Sequence, residues 1–158
     1  MQVRRGEVAD AQSLLSVVQR AICISASPWY TPEQLSTWSS AFSESSIRHA
    51  VEASATFVAV ADGRVAGLSN LISSVEGRAE LDLLFVDPDF AGRGLARGLI
   101  TAVEREALLL EARTLWVDAS IPAARVFEHL GYKVEYAYLK QFRDLVYENT
   151  WLSKRLSV

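Results

Sequence analysis

The run Leu83-Leu84-Phe85-Val86-Asp87-Pro88-Asp89-Phe90-Ala91-Gly92-Arg93-Gly94-Leu95-Ala96 constrains this chain more than any other stretch. An apolar strand enters a loop, and two glycines one residue apart open the helix that follows. The first turn of a helix carries backbone N–H groups without intrahelical partners, and the macrodipole adds roughly half a positive charge there. Glycine lets a ligand approach that backbone closely, so the element is an anion cradle suited to phosphate. The same glycines also fit a tightly packed strand–turn–helix corner. The flanking sequence has to decide between the two.

Gln2 to Arg4 reads as a short first strand. Leu14, Leu15, Val18 and Ile22 recur at helical spacing, which predicts a helix from Val8 to about Ile24. Thr31, Pro32 and Gln34 form a cap, a first-turn proline and a capping box for the next helix. Ser45 or Ser46 is expected to cap a further helix through Ala53. The period then becomes extended: Thr56–Ala61, an Asp62-Gly63 hairpin turn, Arg64–Ser73, a Glu76-Gly77 turn, and Ala79–Val86 feeding the glycine loop. Leu95, Leu99, Val103 and Leu110 predict one buried stripe on the helix after the loop. Thr114–Asp118 is the next strand, Ser120 caps a helix with Pro122 in its first turn, and Gly131 ends it. Extended runs at about Tyr132–Lys140 and Leu145–Leu156 finish the chain.

The order is β-α-α-α-β-β-β-α-β-α-β-β. The hairpin-linked strands are antiparallel, and the βαβ crossover around the glycine loop should set two strands parallel. The fold class expected is α/β: one mixed, mainly antiparallel twisted sheet with helices on both faces. Its 158 residues, half of them apolar, suit a single domain spanning 1–158. A net charge of −3 argues against nucleic acid as the main partner. One cysteine, Cys23, makes no internal disulfide and reads as a small core residue. With two histidines beside it, no Cys/His metal cluster is expected. The N-terminus lacks the apolar region of a signal peptide and no apolar run is long enough for a membrane span, so a cytoplasmic location is the default expectation.

The known phosphate loops can be tested residue by residue. A P-loop needs Lys-Ser or Lys-Thr after its second glycine, where this chain has Leu95-Ala96. The dinucleotide fingerprint needs a small residue where Arg97 stands, and it opens a parallel sheet rather than following three antiparallel strands. The window Ala91-Gly92-Arg93-Gly94-Leu95-Ala96 resembles instead the acyl-CoA signature of the GNAT superfamily of N-acetyltransferases, Gln/Arg-x-x-Gly-x-Gly/Ala. The central glycine and the final alanine match; Ala91 departs at the leading position. The strand order is also similar to that of the family over nearly the whole chain. Ser120 to Ala123 and Phe127 to Tyr132 resemble the family's Asn-x-x-Ala…Phe-Tyr-x-x-x-Gly-Phe helix. Tyr30 to Gln34, Trp38, the Asp118-Ala119-Ser120 start, Asn149 and Leu152-x-Lys154 resemble a bacterial subgroup of small members, largely of unassigned substrate.

The resemblance implies an acetyl-CoA-dependent N-acetyltransferase that attacks the thioester directly, with a small-molecule amine as acceptor. It implies acetyl-CoA in a gap where the Val86 strand splays from the Thr114–Asp118 strand, with backbone of Leu84, Phe85 and Val86 along the pantetheine arm. Amides from Gly92 to Ala96 would hold the pyrophosphate, beside Ala91, Leu95 and the charges of Arg93 and Arg97. An ammonium has no lone pair, so a base must take its proton; Glu80 and Asp82, two apart on the strand, are the candidates, with Glu80 preferred. Such a pair of carboxylates is also expected to raise one pKa toward neutrality. The family's usual proton donor to the leaving thiolate is a tyrosine, and here Phe127 stands there. Ser120, at the family's asparagine position, would bond pantetheine or water, and Tyr30, Tyr132, Tyr136 and Tyr138 are alternative donors. Trp29, Tyr30 and Trp38 fall where the family covers the acceptor and where aromatics would contact an apolar or aromatic acceptor, with core packing the favoured role for Trp38. A weakly catalytic acyl-CoA-binding module and a protein N-acetyltransferase are the competing readings, and edge strands near the C-terminus leave a homodimer open.

Overall fold

The computed structural model describes residues 1–157, except for the side chains of residues 73–75. Strands β1 (Gln2–Arg5), β2 (Ala55–Ala61), β3 (Arg64–Val75), β4 (Arg78–Val86), β5 (Thr114–Ala119), β6 (Lys133–Phe142) and β7 (Leu145–Arg155) form one open sheet. Helices α1 (Ala11–Arg20), α2 (Pro32–Ser39) and α3 (Glu44–Ala53) precede the β2–β3–β4 meander. Helices α4 (Leu95–Leu109) and α5 (Ile121–His129) flank β5. The sheet order is β1-β2-β3-β4-β5-β7-β6, antiparallel everywhere except β4 beside β5. The element order, the mixed sheet and its single parallel pair match the sequence reading.

Local chemistry accounts for most of the joints. Thr31 accepts from the Gln34 N–H while the Gln34 side chain accepts from Thr31 N–H, the reciprocal capping predicted for α2. At α3 the cap is Ser43, not Ser45 or Ser46: Ser43 accepts from Ser46 N–H, and the Ser46 hydroxyl accepts from Ser43 N–H. Two serines in reach of one another moved the start upstream. Asp62 (φ 52°) and Gly63 (φ 72°) are both left-handed, as a two-residue hairpin turn requires.

Helix α4 buries Leu95, Leu99, Ile100, Val103 and Ala107 against β2, β3 and β4. A fully buried Leu or Val contributes about 1.5–3 kcal/mol over leaving it in water, so this stripe holds the helix to the sheet. Leu110 does not belong to it. The helix ends at Leu109 and the chain turns out at Glu111 (φ 61°), leaving Leu110 half exposed and Ala107 in the inward position. The opposite face carries a second core of α1, α2 and α3 over Val58 and Leu68.

After α1 the chain widens into one π-helical turn, Ala21–Ser25, closed by Ala26 N–H to Ala21 O at 3.0 Å. Cys23 lies on this turn and is exposed, not a core residue, because the turn presents Ala21 and Ile22 inward instead. Arg20 anchors the turn to the loop after β4. Its Nε donates to the buried Asp87 at 3.0 Å and its terminal nitrogen pairs with Asp89 at 3.1 Å. Asp87 also accepts from Asp89 N–H, so one carboxylate shapes the loop from both sides.

Candidate active site

Strands β4 and β5 pair only from Arg78↔Thr114 to Leu81↔Val117; beyond that they part. A β-bulge sits on β4 at the parting, where Leu81 opposes Leu71 and Leu83 opposes Asn70, leaving Asp82 as the extra residue. The Asn70 side chain accepts from Leu83 N–H at 2.7 Å, which occupies the amide that the bulge displaces. Above the bulge the side chains change face. Ala79 and Leu81 pack with α5 and the lower part of α4, whereas Leu83 and Phe85 pack toward α1, α2 and α3.

The backbone alternation identifies which groups face the gap. Asp87 N–H donates to Ala66 O at 2.8 Å, which makes Phe85↔Leu68 the next hydrogen-bonded pair along the register. The N–H and C=O of Leu84 and Val86 therefore point away from β3, into the space β5 has left. Of the three strand residues expected to offer backbone, Leu84 and Val86 do so; the Phe85 backbone pairs with β3 and its side chain enters the neighbouring cavity.

That gap continues into a groove of about 350 Å³ running to the start of α4. Ala91, Gly92, Gly94, Leu95 and Ala96 form its far end, and Ala21, Ser25 and Ala26 of the π-helical turn its side. Gly94 caps α4 at φ 82° and Gly92 sits at φ 76°, with no atom within 4 Å of where a Cβ would point on either. Both conformations disfavour other residues, and the space over the helix start stays open. Arg93 and Arg97 do not line the groove. Arg93 forks onto Asp62 at 2.8 Å, which holds it against the β2–β3 hairpin, and Arg97 is exposed on the helix surface.

A second cavity of about 260 Å³ meets the groove at Trp38, Leu84, Phe85, Ser120 and Ala123. Tyr30, Trp38, Phe42 and Phe85 line one side in a chain of edge-on and tilted contacts with ring centroids 5.5–6.2 Å apart, and Tyr147 continues it beyond Tyr30. Asp82 and Asp118 line the other side, with Lys140 and Asn149. Asp118 accepts from Tyr138 hydroxyl at 2.5 Å, Asn149 Nδ2 at 2.9 Å and Lys140 Nζ at 3.3 Å. Asp82 keeps an opening to solvent through the cavity, yet protein crowds it elsewhere, and this lost hydration pushes its carboxyl up. Lys140 and Asn70 pull it partly back. Glu80 is raised by burial first and then by the charges of Asp82 and Asp118, whereas Glu80 is not among the groups that raise Asp82. Glu80 itself lies one step back from the cavity wall.

Ser120 occupies the N-cap position of α5 and lines both cavities, but its hydroxyl makes no capping bond. Tyr30 does that work from across the cleft: its phenol oxygen accepts from Ile121 N–H at 3.1 Å. Phe127 is buried in the core against Tyr132, at the deep wall of the cavity. Trp29 is outside both cavities, its ring against Arg125. The 3₁₀ turn Ser27–Trp29 places Trp29 on the surface and turns Tyr30 inward. Trp38, placed in the acceptor-covering region with packing favoured, does both: it packs against the α1–α3 core and lines both cavities. Sequence reasoning gave no role to Asp118, Lys140, Asn149, Phe42 or Tyr147. Asp118 and Asn149 stood out only as marks of the bacterial subgroup, Lys140 and Tyr147 show no more than strand alternation on β6 and β7, and Phe42 lies in the α2–α3 connection where no periodicity points to it.

Residues 26–142 match the family model described as an acetyltransferase (GNAT) domain. The chain is 33% identical over 133 residues to the uncharacterized N-acetyltransferase YafP of Escherichia coli (strain K12), covering 84% of this chain and 81% of that protein. Among solved structures, a GCN5-related N-acetyltransferase from Rhodopseudomonas palustris superposes with a TM-score of 0.91 at 28% identity, over 98% of this chain and 95% of that one. The PaiA N-acetyltransferase of Thermoplasma acidophilum, solved with coenzyme A, superposes with a TM-score of 0.80 at 15% identity over 98% of both chains. The fold and the parted β4–β5 cleft thus define an acyltransferase architecture. The chain belongs to the GNAT family and is by that membership an acetyl-CoA-dependent N-acetyltransferase.

Proposed function

We propose that this enzyme acetylates the amine of a small molecule by direct attack on the thioester of acetyl-CoA. The observation that carries this reading is a convergence. The backbone edge of Leu84 and Val86, the open start of α4 and the carboxylate-bearing cavity meet at Leu84 and Ser120. Acetyl-CoA fits the residues present: the groove offers backbone donors for an extended arm, and the glycines leave the helix start uncovered for phosphates. When bound, it supplies the activated acetyl group. The N–H groups of Leu84 and Val86 serve as arm contacts and as donors to the thioester oxygen. Arg93 and Arg97 add at most a screened surface charge.

Asp82 takes the proton from the acceptor ammonium, because its carboxyl lies on the cavity wall and is held above the ordinary carboxylate value. Glu80 stands behind it as a second acceptor that shares the charge. Proton return to the sulfur is assigned to Tyr30 by elimination. Tyr132 donates to Glu104, Tyr138 to Asp118 and Tyr147 to Gln34 O, and Tyr136 lines neither cavity. Tyr30 accepts from Ile121 and keeps its own proton, on the cavity wall next to Ser120, one of the residues at which cavity and groove meet. Burial raises this phenol, and the Ile121 amide and Ser120 hydroxyl work against that rise. Ser120 orients the phenol or a water beside it.

The test is melting temperature with CoA and acetyl-CoA, together with thiol release in the presence of primary amines. Upward shifts with both and amine-dependent thiol release are expected. No shift with either removes the cofactor reading. Shifts without thiol release from any amine, peptide or protein extract point instead to a binding module.

A further inference from the structure

We infer that the acceptor is a compact aromatic or apolar amine that carries no carboxylate. This rests on the acetyl-transfer reading above and concerns the other half of the same site. The cavity beside Leu84 holds about 260 Å³, below the range of roughly 300–1,000 Å³ typical of sites for drug-sized ligands. One wall is aromatic, built from Tyr30, Trp38, Phe42, Phe85, Phe142 and Tyr147. The other carries Asp82 and Asp118, with Glu80 behind them.

The charges facing this space are not balanced. Lys140 is the cation on its wall, and it is already paired with Asp118 at 3.3 Å. Arg143 hydrogen-bonds Ser40 on the outer rim, and Arg78 lies over the Trp116 ring, away from the cavity. An ammonium entering between Asp82 and Asp118 gains a charge-assisted partner there, while its body displaces water from the aromatic wall. Rings around a cation also favour it directly. A carboxylate on the carbon next to that nitrogen would enter the same acidic end, where among the described residues Lys140 is already paired with Asp118. The geometry thus selects an amine over the amino acid of the same side chain. It also disfavours a peptide N-terminus, whose following backbone amides would face rings rather than hydrogen-bond partners.

Matched pairs test this. Thiol release from acetyl-CoA is measured for 2-phenylethylamine against phenylalanine, tryptamine against tryptophan, and for spermidine and a free-N-terminal tetrapeptide. Binding of each to the CoA complex is followed by calorimetry. The expected result is a kcat/KM for each aromatic amine about a hundredfold or more above its amino acid, whose carboxylate meets the acidic end, and above spermidine and the peptide, whose further ammonium and amide groups would be desolvated against rings. Equal or better use of an amino acid, spermidine or the peptide overturns the inference while leaving acetyl transfer standing. Acetyl-CoA binding with no aromatic amine bound or acetylated overturns it as well. Failure of the protein to bind acetyl-CoA instead sinks the reading on which it rests. Asp118→Asn should weaken aromatic-amine binding at least about tenfold with CoA affinity near the parent value, while its melting temperature falls because the new amide nitrogen cannot accept from Tyr138, Lys140 or Asn149. Unchanged amine affinity in that variant removes Asp118 from the site.

Discussion

The groove that runs from Leu84 to the start of α4 and the cavity beside it touch at five residues but are made of different material. The groove presents main chain: the unpaired edge of Leu84 and Val86, and the N–H groups over Gly92 and Gly94. The cavity presents side chains from β4, β5, β6, β7 and α2, with aromatic rings on one wall and carboxylates on the other. A site built of main chain needs only particular backbone angles, so Ala91, where the family places Gln or Arg, is expected to weaken CoA binding rather than abolish it. A site built of side chains depends on which residues several distant strands bring together. The difference predicts that the two halves fail separately when mutated.

Asp82→Asn should lower kcat/KM by about 10²–10⁴ with CoA affinity unchanged, measured by thiol release and by calorimetry. A full loss in Glu80→Gln with Asp82→Asn active would move the base to Glu80. The same variant carries a stability signature. Asp82 is raised in the folded state above its ordinary 3.8, so the fold binds more protons than the unfolded chain and loses stability as pH rises through that window. Asp82→Asn should therefore melt above the parent at neutral pH, and the gap should close as pH falls toward 3.8.

Next in size is Tyr30→Phe, expected to lower kcat by about 10² while KM for acetyl-CoA stays near its parent value. It also leaves Ile121 N–H without its partner, at a cost of about 1–3 kcal/mol if that amide finds no water. A kcat drop smaller than the melting change can explain would return Tyr30 to a purely structural role. Gly94→Val crosses the comparison from the other side. A left-handed residue with a Cβ costs about 1–2 kcal/mol, and the new side chain enters the cradle, so CoA affinity should fall about tenfold or more. Turnover at saturating acetyl-CoA should change little. The smallest effect belongs to Arg93→Ala. Its pair with Asp62 is exposed and screened by solvent, so CoA affinity should shift by no more than about threefold. A larger loss, relieved by salt, would mean that Arg93 leaves Asp62 to reach the phosphates.

How much was legible follows the same division. Gly92-Arg93-Gly94 marked the cradle because left-handed backbone beside a helix start is written in residue identity. The capping box of Thr31 and Gln34 and the Asp62-Gly63 turn were legible for the same reason. The cap at Ser43 was missed because several serines compete and a single hydrogen bond chooses among them. Trp29 and Tyr30 were indistinguishable as neighbours in sequence; a 3₁₀ turn put one on the surface and the other over the α5 start. Asp118 meets Tyr138 and Asn149 only because β6 and β7 return antiparallel beside β5.

The sequence alone determined the order of elements, the single parallel pair and the glycine-opened start of α4, because these depend on local backbone preference and short-range periodicity. Tertiary structure alone decided the rest. The bulge at Asp82 turned Leu84 and Val86 toward the gap, Tyr30 took over the cap that Ser120 was expected to make, and an acidic, aromatic cavity formed beside the groove. Those outcomes depend on strand register, and register is set by packing across the whole sheet rather than by any short stretch of it.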